Sequence, residues 1–106
     1  MKTYLMNTSI IPNPGDFRFR EASLEEAKKF VLENNWDSAI GHKETAKAMS
    51  VLLGVRVPEN RIMVKLEKGD MALCFKLASR PEEGKILSYE ELLNAGHTWG
   101  IIERLQ

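Results

Sequence analysis

Apolar positions along the chain recur with two spacings, and these predict strands and helices in mixed order. Alternation with a period of two, or a short apolar run, is typical of a strand, and apolar residues three or four positions apart are typical of a helix. The strands that this pattern predicts occupy residues 3–6, 17–20, 36–40, 61–66, 71–77 and 99–105. Because Lys68-Gly69-Asp70 separates the fourth of these from the fifth, we expect the two to pair as a hairpin.

Three helices are predicted between the strands. Two of them begin with a capping box, at Ser23 and at Ser88, where a glutamate follows the serine three positions later. The helix between these two begins after His42 and ends at Gly54. We therefore expect an α/β (α+β) fold, in which a mixed sheet of about five strands is flanked by helices within a single domain, residues 1–106.

Charge and cysteine content narrow the functional classes. The 106 residues include 15 Lys and Arg and 15 Asp and Glu, so the formal net charge is zero. A balanced charge argues against a protein that coats long DNA or RNA through a broad basic face. Cys74, the single cysteine, lies in an apolar run and indicates a buried thiol in a reducing compartment. No apolar run approaches about 18 residues and no secretion signal is present, so we expect neither export nor a membrane span.

His42 is the first candidate for chemistry, because a glycine and a predicted helix N-terminus flank it. Backbone N–H groups and the positive end of the helix dipole meet at such a position, and they can hold an anion such as phosphate beside an imidazole. Gly41 leaves room for the close approach of a ligand. A capping or surface role is the common alternative for a lone histidine, and the residue pattern leaves both roles open.

A second polar cluster follows the predicted strand at 71–77 and contains Arg80 and Glu83. Arginine offers a planar fork of donors that fits two phosphate oxygens, and a carboxylate can orient or deprotonate a hydroxyl. A solvated ion pair is the default interpretation of such a pair. The two residues gain a catalytic meaning only where they lie near His42.

Weaker polar signals occur elsewhere. Asn7 and Ser9 follow the first strand, at the kind of strand end where α/β proteins commonly bind ligands, although a polar turn also explains them. Asn60-Arg61 ends a loop, where turn chemistry explains the asparagine and an edge charge explains the arginine. His97 lies beside a glycine in what we interpret as a tight connection. Because zinc-ligand spacing and the glycine motifs of nucleotide-binding and hydrolase folds are absent, we expect no metal and no cofactor.

In their order and spacing, several groups of residues resemble the viral ring nuclease family of type III anti-CRISPR proteins, including related host-encoded ring nucleases. These groups are Ile40-Gly41-His42 with Thr45, then Asn60-Arg61, then Arg80 with Glu83-Gly84-Lys85, Leu87 and Ser88. Asn7 near the start of the chain adds a further point, and the match spans nearly the whole sequence. Each motif is weak alone, so the resemblance depends on their combination.

The resemblance implies a small symmetric homodimer that binds cyclic tetra-adenylate, the second messenger of type III CRISPR defence, across its two-fold axis and cuts it without metal. His42 is similar to the general acid that protonates the departing 5′ oxygen, and Glu83 to the residue that activates the attacking 2′-hydroxyl. Arg80 and Arg61 resemble the phosphate-facing arginines of the family. The other pocket residues that the resemblance implies are Asn7, Ser9 and Gly41.

The implied products are linear di-adenylates that end in a 2′,3′-cyclic phosphate, formed in the cytoplasm of a prokaryotic host cell. A viral protein would thereby antagonise the defence, and a host protein would switch it off. Two other functions stay open on the sequence. A module that binds or sequesters a cyclic oligonucleotide without cutting it would use the same arginines, and a structural or regulatory dimer would use the polar clusters only to stabilise loops.

Overall fold

The described part of the chain contains eight helices and strands, joined by loops. A computed structural model describes residues 2–7, 14–77, 88–94 and 96–106. In chain order the elements are β1 (Thr3–Met6), β2 (Phe17–Ala22), α1 (Leu24–Glu33), β3 (Asp37–Ser38), α2 (Lys43–Leu53), β4 (Met71–Leu77), α3 (Tyr89–Asn94) and β5 (His97–Arg104).

The strands form one mixed sheet in the order β2-β5-β4-β1-β3, which confirms the predicted fold class. β1 pairs in parallel with β4 on one side and with β3 on the other, and β5 pairs antiparallel with β4 and β2. The carboxyl ends of β1, β3 and β4 therefore lie at one edge of the sheet, which we call the carboxyl edge. β5 starts at this same edge, because His97 lies opposite Leu77.

Local sequence signals account for the helix ends. The Ser23 hydroxyl accepts a hydrogen bond from the backbone N–H of Glu26, and the Glu26 carboxylate accepts one from the backbone N–H of Ser23, each at 3.1 Å. Ser88 and Glu91 cap α3 in the same reciprocal way. α2 ends at Gly54, whose φ of 73° is the left-handed conformation that glycine adopts at little cost. All three predicted signals are confirmed.

The larger hydrophobic core lies between the sheet and the first two helices. The helices contribute apolar residues spaced three or four apart, which places these side chains on one face of each helix. Its buried members include Leu5, Leu73, Phe75 and Trp99 from strands, Phe30 and Val31 from α1, and Ala46, Met49 and Leu53 from α2. Since α2 follows β3 closely in the chain, this packing fixes the first turn of α2 at the carboxyl edge.

The other face of the sheet is covered by a segment without regular structure. Residues 61–67, which we call the covering segment, include the predicted strand 61–66, and its predicted hairpin with 71–77 is wrong because β4 pairs with β1 and β5 instead. The alternation itself is present, since Val64 and Leu66 are buried while their immediate neighbours are exposed. The buried side chains lie on the sheet, and the backbone is outside the ladder.

The second core indicates how the covering segment crosses the sheet. Val64 and Leu66 share a buried cluster with side chains from β1, β4 and β5, namely Met6, Ala72, Cys74 and Ile102. A segment that contacts three strands lies across the face of the sheet, whereas a strand within the sheet pairs only with its immediate neighbours. The apolar period of two therefore indicates that one side of the segment is buried, and it does not by itself indicate pairing within the sheet.

A buried carboxylate fixes the far end of the covering segment. Asp70 is 3% exposed, and its two oxygens accept hydrogen bonds from the backbone N–H groups of Lys2 at 2.7 Å and Glu67 at 2.8 Å. The Arg104 guanidinium donates to the carbonyl of Leu66 at 2.6 Å. These bonds join the end of the covering segment to the start of β1 and the end of β5.

Two strand boundaries differ from the predicted ones. β3 comprises Asp37 and Ser38 alone, although the backbone N–H of Ala39 still donates to the carbonyl of Leu5 at 2.8 Å. β5 begins at His97, two residues before the predicted start, because its pairing with β4 continues to the end of that strand. His97 therefore belongs to a strand and not to a tight connection.

Truncation of Leu66 tests whether the covering segment stabilises the second core. Leu66 is fully buried, so Leu66→Ala should leave a cavity and lower the free energy of unfolding by about 2–5 kcal/mol. Leu32→Ala is the matched control, because the Leu32 residue is 77% exposed, and it should change the free energy by less than about 0.5 kcal/mol. Urea denaturation measures both, and equally small losses would contradict the packing of residues 61–67.

Cys74 should be inert in the folded protein. Burial raises the pKa of its thiol from 9.0 to about 12, because desolvation disfavours the thiolate. The thiolate is the nucleophile, so we expect negligible reaction with iodoacetamide at about pH 8 until urea unfolds the chain. Because the unfolded thiol ionises first, the contribution of Cys74 to stability should fall as the pH rises from about 9 towards about 12. Mass spectrometry of the adduct is the measurement, and rapid labelling of the folded protein would refute the expectation.

Candidate functional site

Residues predicted to bind or react with a ligand follow β1, β3 and β4, three of the four described strands that end at the carboxyl edge. Asn7 comes directly after β1, and Gly41-His42 follow β3 after two residues. β4 ends at Leu77 at the same edge, and Arg80 and Glu83 follow it in the sequence. Arg80 and Glu83, together with Ser9, lie outside the described residues. Ligands of sheets with parallel strands commonly bind beyond the carboxyl ends, so this edge is the candidate site.

His42 is the N-cap residue of α2, as the sequence predicts. Its backbone is extended, with φ −127° and ψ 125°, and its carbonyl accepts the first intrahelical bond from the N–H of Ala46 at 3.0 Å. The imidazole forms no side-chain cap, and the residue is exposed. The ring is therefore available to a ligand at the positive end of a helix.

The chain returns to His42 after α2 because its loop runs back along the helix. α2 has 11 residues, which corresponds to about 16 Å at 1.5 Å per residue. After Gly54 the chain reverses, and the Ser50 hydroxyl accepts a hydrogen bond from the N–H of Val57 at 2.8 Å while donating to the carbonyl of Ala46 at 2.8 Å. This bond holds the returning chain against the helix.

Two side chains then join the returning chain to the end of β3. The Ser38 hydroxyl donates to the carbonyl of Pro58 at 2.6 Å. Asn60 donates twice, from its backbone N–H to the carbonyl of Ile40 and from its side-chain amide to the carbonyl of Ser38, each at 2.8 Å. Ser38 is 3% exposed, so these bonds lie at the rim of the core. Residue 61 is thereby brought beside Gly41.

Arg61 lies against Gly41. A Cβ atom placed on Gly41 would be in ordinary contact with Cβ of Arg61 at 3.7 Å but only 3.2 Å from its Cγ, so the arginine stem would have to move slightly. The glycine therefore permits the close approach of the arginine stem, and not only that of a ligand. Gly41, His42 and Arg61 are the three predicted site residues that the structure brings together.

The group carries two exposed cations, Arg61 and Lys43, and the acidic Glu44 follows Lys43 in the first turn of α2. Among the described residues, neither Arg61 nor Lys43, the first residue of α2, takes part in an ion pair. Both side chains are exposed. Two cations and a helix N-terminus at one edge favour an anionic ligand.

Asn7 follows the strand that lies between β3 and β4 at the carboxyl edge. It is half-buried and follows Met6, whose partner in β4 is Cys74. β1 lies between β3 and β4, so Asn7 lies between the chain that carries His42 and the chain that continues to residue 80. This position fits the predicted pocket-lining role.

His97 also reaches the carboxyl edge, which its sequence context did not indicate. Its ring lies 5.3 Å from that of Phe75 and 6.1 Å from that of Trp99, measured between centroids. The indole nitrogen of Trp99 is buried and has no hydrogen-bond partner among the described residues. The alternation of His97 with Trp99 along β5, continuing the period of two, is the signal that could have placed both rings on one face.

Sequence reasoning also missed the part that Ser38 plays in the site. The serine was assigned only to a strand, and the hydrogen bond to Pro58 joins segments 20 residues apart in the chain. Its one sequence signal is a serine directly before the apolar pair Ala39-Ile40 and close to the candidate residues Gly41 and His42. Within the described ranges, no three His, Cys, Asp or Glu side chains are grouped so as to hold a metal ion. None of the described helices is long and apolar enough to cross a membrane.

Comparison with known proteins identifies similar chains in viruses and in a bacterium. A protein-family model described as STIV B116-like matches residues 3–99. ORF117 of Acidianus two-tailed virus is 41% identical over 109 residues, which cover 97% of this chain and 93% of that protein. YddF of Bacillus subtilis is 30% identical over 107 residues, which cover 99% of each chain.

A solved structure has a similar fold. B116 of Sulfolobus turreted icosahedral virus (STIV) superposes with a TM-score of 0.74 at 26% identity. The match covers 98% of this chain and 100% of that chain. The sheet and helices described above are therefore shared along nearly the full length of both chains.

Proposed function

We propose that this protein, which belongs to the STIV B116-like family, is a metal-independent ring nuclease that binds and cleaves cyclic tetra-adenylate. The observation that carries the proposal is that the stem of Arg61 lies against Gly41, the residue that precedes His42 at the N-terminus of α2. The imidazole is not used for capping, and the guanidinium has no acidic partner among the described residues. An acid beside an anion-binding group is what cleavage of a phosphodiester needs.

The proposed reaction uses the ribose of the ring as its own nucleophile. The 2′-hydroxyl oxygen attacks the adjacent phosphorus, and Glu83 accepts the hydroxyl proton. The bond between phosphorus and the 5′ oxygen breaks, and His42 donates a proton to that leaving oxygen. Cleavage at two phosphodiesters yields linear di-adenylates with a 2′,3′-cyclic phosphate, and no water or metal takes part in the step.

Anion binding supplies the rest of the proposed catalysis. General acid–base assistance is worth about 10² to 10⁴-fold, so positioning of the ring and stabilisation of charge on phosphorus must contribute much of the remainder. In the proposal Arg61 and Arg80 contact the phosphates, because a guanidinium matches two phosphate oxygens. Asn7, Ser9 and Gly41 line the pocket.

The proposed active unit is a symmetric homodimer. A ring of four nucleotides has four phosphodiesters, which a two-fold axis relates in two pairs, and an isologous pair of chains would place one His42 at each member of one pair. The similar chains in viruses fit a protein that disarms type III CRISPR signalling in the cytoplasm of a prokaryotic host. The similar chain of Bacillus subtilis fits the same chemistry used to switch a response off.

The proposal predicts cleavage in the presence of a chelator. Radiolabelled cyclic tetra-adenylate, incubated with excess protein in EDTA, should be converted to linear di-adenylates, which thin-layer chromatography separates from the ring. Rings of three and six adenylates in parallel reactions measure the size preference. Intact tetra-adenylate that co-elutes with the protein would indicate a protein that sequesters the ring without cutting it. An intact ring that does not bind would refute both the nuclease and the sequestering function.

The acid role of His42 has its own test. His42→Ala should lower the single-turnover cleavage rate by about 10² to 10⁴-fold with the ring still bound, because the variant lacks the proton donor. A ring with sulfur in place of the bridging 5′ oxygen is the control, since a thiolate leaves without protonation and the variant should cleave it at nearly the wild-type rate. A similar loss on both substrates would argue that His42 has another role.

A further inference from the structure

Asn60 has no part in the proposed chemistry, yet it forms the last contact before Arg61. Its side-chain amide donates to the carbonyl of Ser38, and its backbone N–H donates to the carbonyl of Ile40, each at 2.8 Å. We infer that Asn60 is a positioning residue, which holds the Arg61 guanidinium at the phosphate site by fixing residue 60 to the end of β3. This inference rests on the proposed function.

The two bonds of Asn60 restrain both the position and the rotation of its backbone. Their acceptors, Ser38 and Ile40, are two residues apart on the chain that leads from β3 to His42. One bond alone would let residue 60 pivot about a single point, whereas two bonds to one segment prevent that rotation. Asn60 is thus held to the same segment that carries the proposed acid.

The backbone turn that follows Asn60 restrains the position of Arg61 as well. The N–H of Ile62 donates to the carbonyl of Asn60 at 3.1 Å, so Arg61 is the central residue of a three-residue turn. The stem of Arg61 then lies on Gly41, where an added Cβ atom would be only 3.2 Å from Cγ of the arginine. With residue 60 free to rotate, this turn would carry the guanidinium away from His42.

Global stability is a poor explanation for these bonds. Asn60 is exposed, and it belongs to neither hydrophobic cluster. Its hydrogen bonds also join segments that Ser38 and Pro58 already connect. Loss of the amide should therefore alter the local direction of the chain at residue 61 and leave the fold intact.

A double-mutant cycle tests whether Asn60 acts through Arg61. Asn60→Ala should lower kcat on cyclic tetra-adenylate by roughly 10- to 100-fold, because a displacement near 1 Å costs up to about 10²-fold. In the Arg61→Ala background the same substitution should cost less than about twofold, since the group it positions is gone. Losses that multiply independently in the double variant would overturn the inference.

Two further variants separate positioning from a structural role. Asn34→Ala removes a similar bond, from the Asn34 amide to the carbonyl of Phe30 at 2.9 Å at the end of α1, and should leave kcat near the wild-type value. Asn60→Asp keeps the size of the side chain without the donor and should resemble Asn60→Ala. Wild-type kcat in Asn60→Asp would overturn the role of the amide.

A readout without substrate keeps this inference distinct from the proposed function. The wild type should give a nuclear Overhauser effect between the γ protons of Arg61 and the α protons of Gly41, and so should Asn34→Ala. Asn60→Ala should lose it while keeping a folded spectrum. Failure of the wild type to bind or cut the ring would contradict the proposed nuclease function alone. An Overhauser effect that persists in Asn60→Ala would contradict the positioning role of Asn60.

Discussion

Parallel pairing of β1 with both of its neighbours is the constraint on which the site depends. Parallel strands end at the same edge, so the chain segments that leave β1, β3 and β4 must start close together. An antiparallel neighbour on either side would send one of these segments to the opposite edge. His42 and Asn7 are close to one another in the fold for this reason, although about a third of the chain separates them.

The sequence signals that correctly predicted the structure are those that act between residues close together in the chain. The capping box at Ser23 and the glycine at 54 form bonds with groups three or four residues away, so a short window of the sequence contains both partners. Strand pairing has no such local signal. Lys68-Gly69-Asp70 resembles a hairpin turn, yet Asp70 forms its bonds with Lys2 and Glu67 and directs β4 towards β1. A distant partner decided the topology, and no window of the sequence contains it.

In the candidate site too, the sequence predicted the residue that local signals place, and it did not predict the contact that distant hydrogen bonds create. The position of His42 at a helix N-terminus follows from the glycine and the apolar pattern around it, and that prediction is confirmed. The approach of Arg61 to Gly41 depends on hydrogen bonds that join Ser38, Ser50 and Asn60 to residues 7 to 22 positions away in the chain. Turn chemistry explained Asn60 equally well, so its second bond was invisible in the sequence. The roles of Arg80, Glu83 and Ser9 stay predictions.

The covering segment can change in length during evolution more easily than a strand can. A strand in a ladder has a register, and insertion of one residue turns every later side chain to the opposite face. Within the described ranges, residues 61–67 pair with no strand, so Val64 and Leu66 need only reach the apolar cluster on the face of the sheet. A descendant sequence could therefore lengthen or shorten the stretch between Arg61 and Val64 and re-aim the guanidinium, with the hydrogen-bond pattern of every strand left as it is.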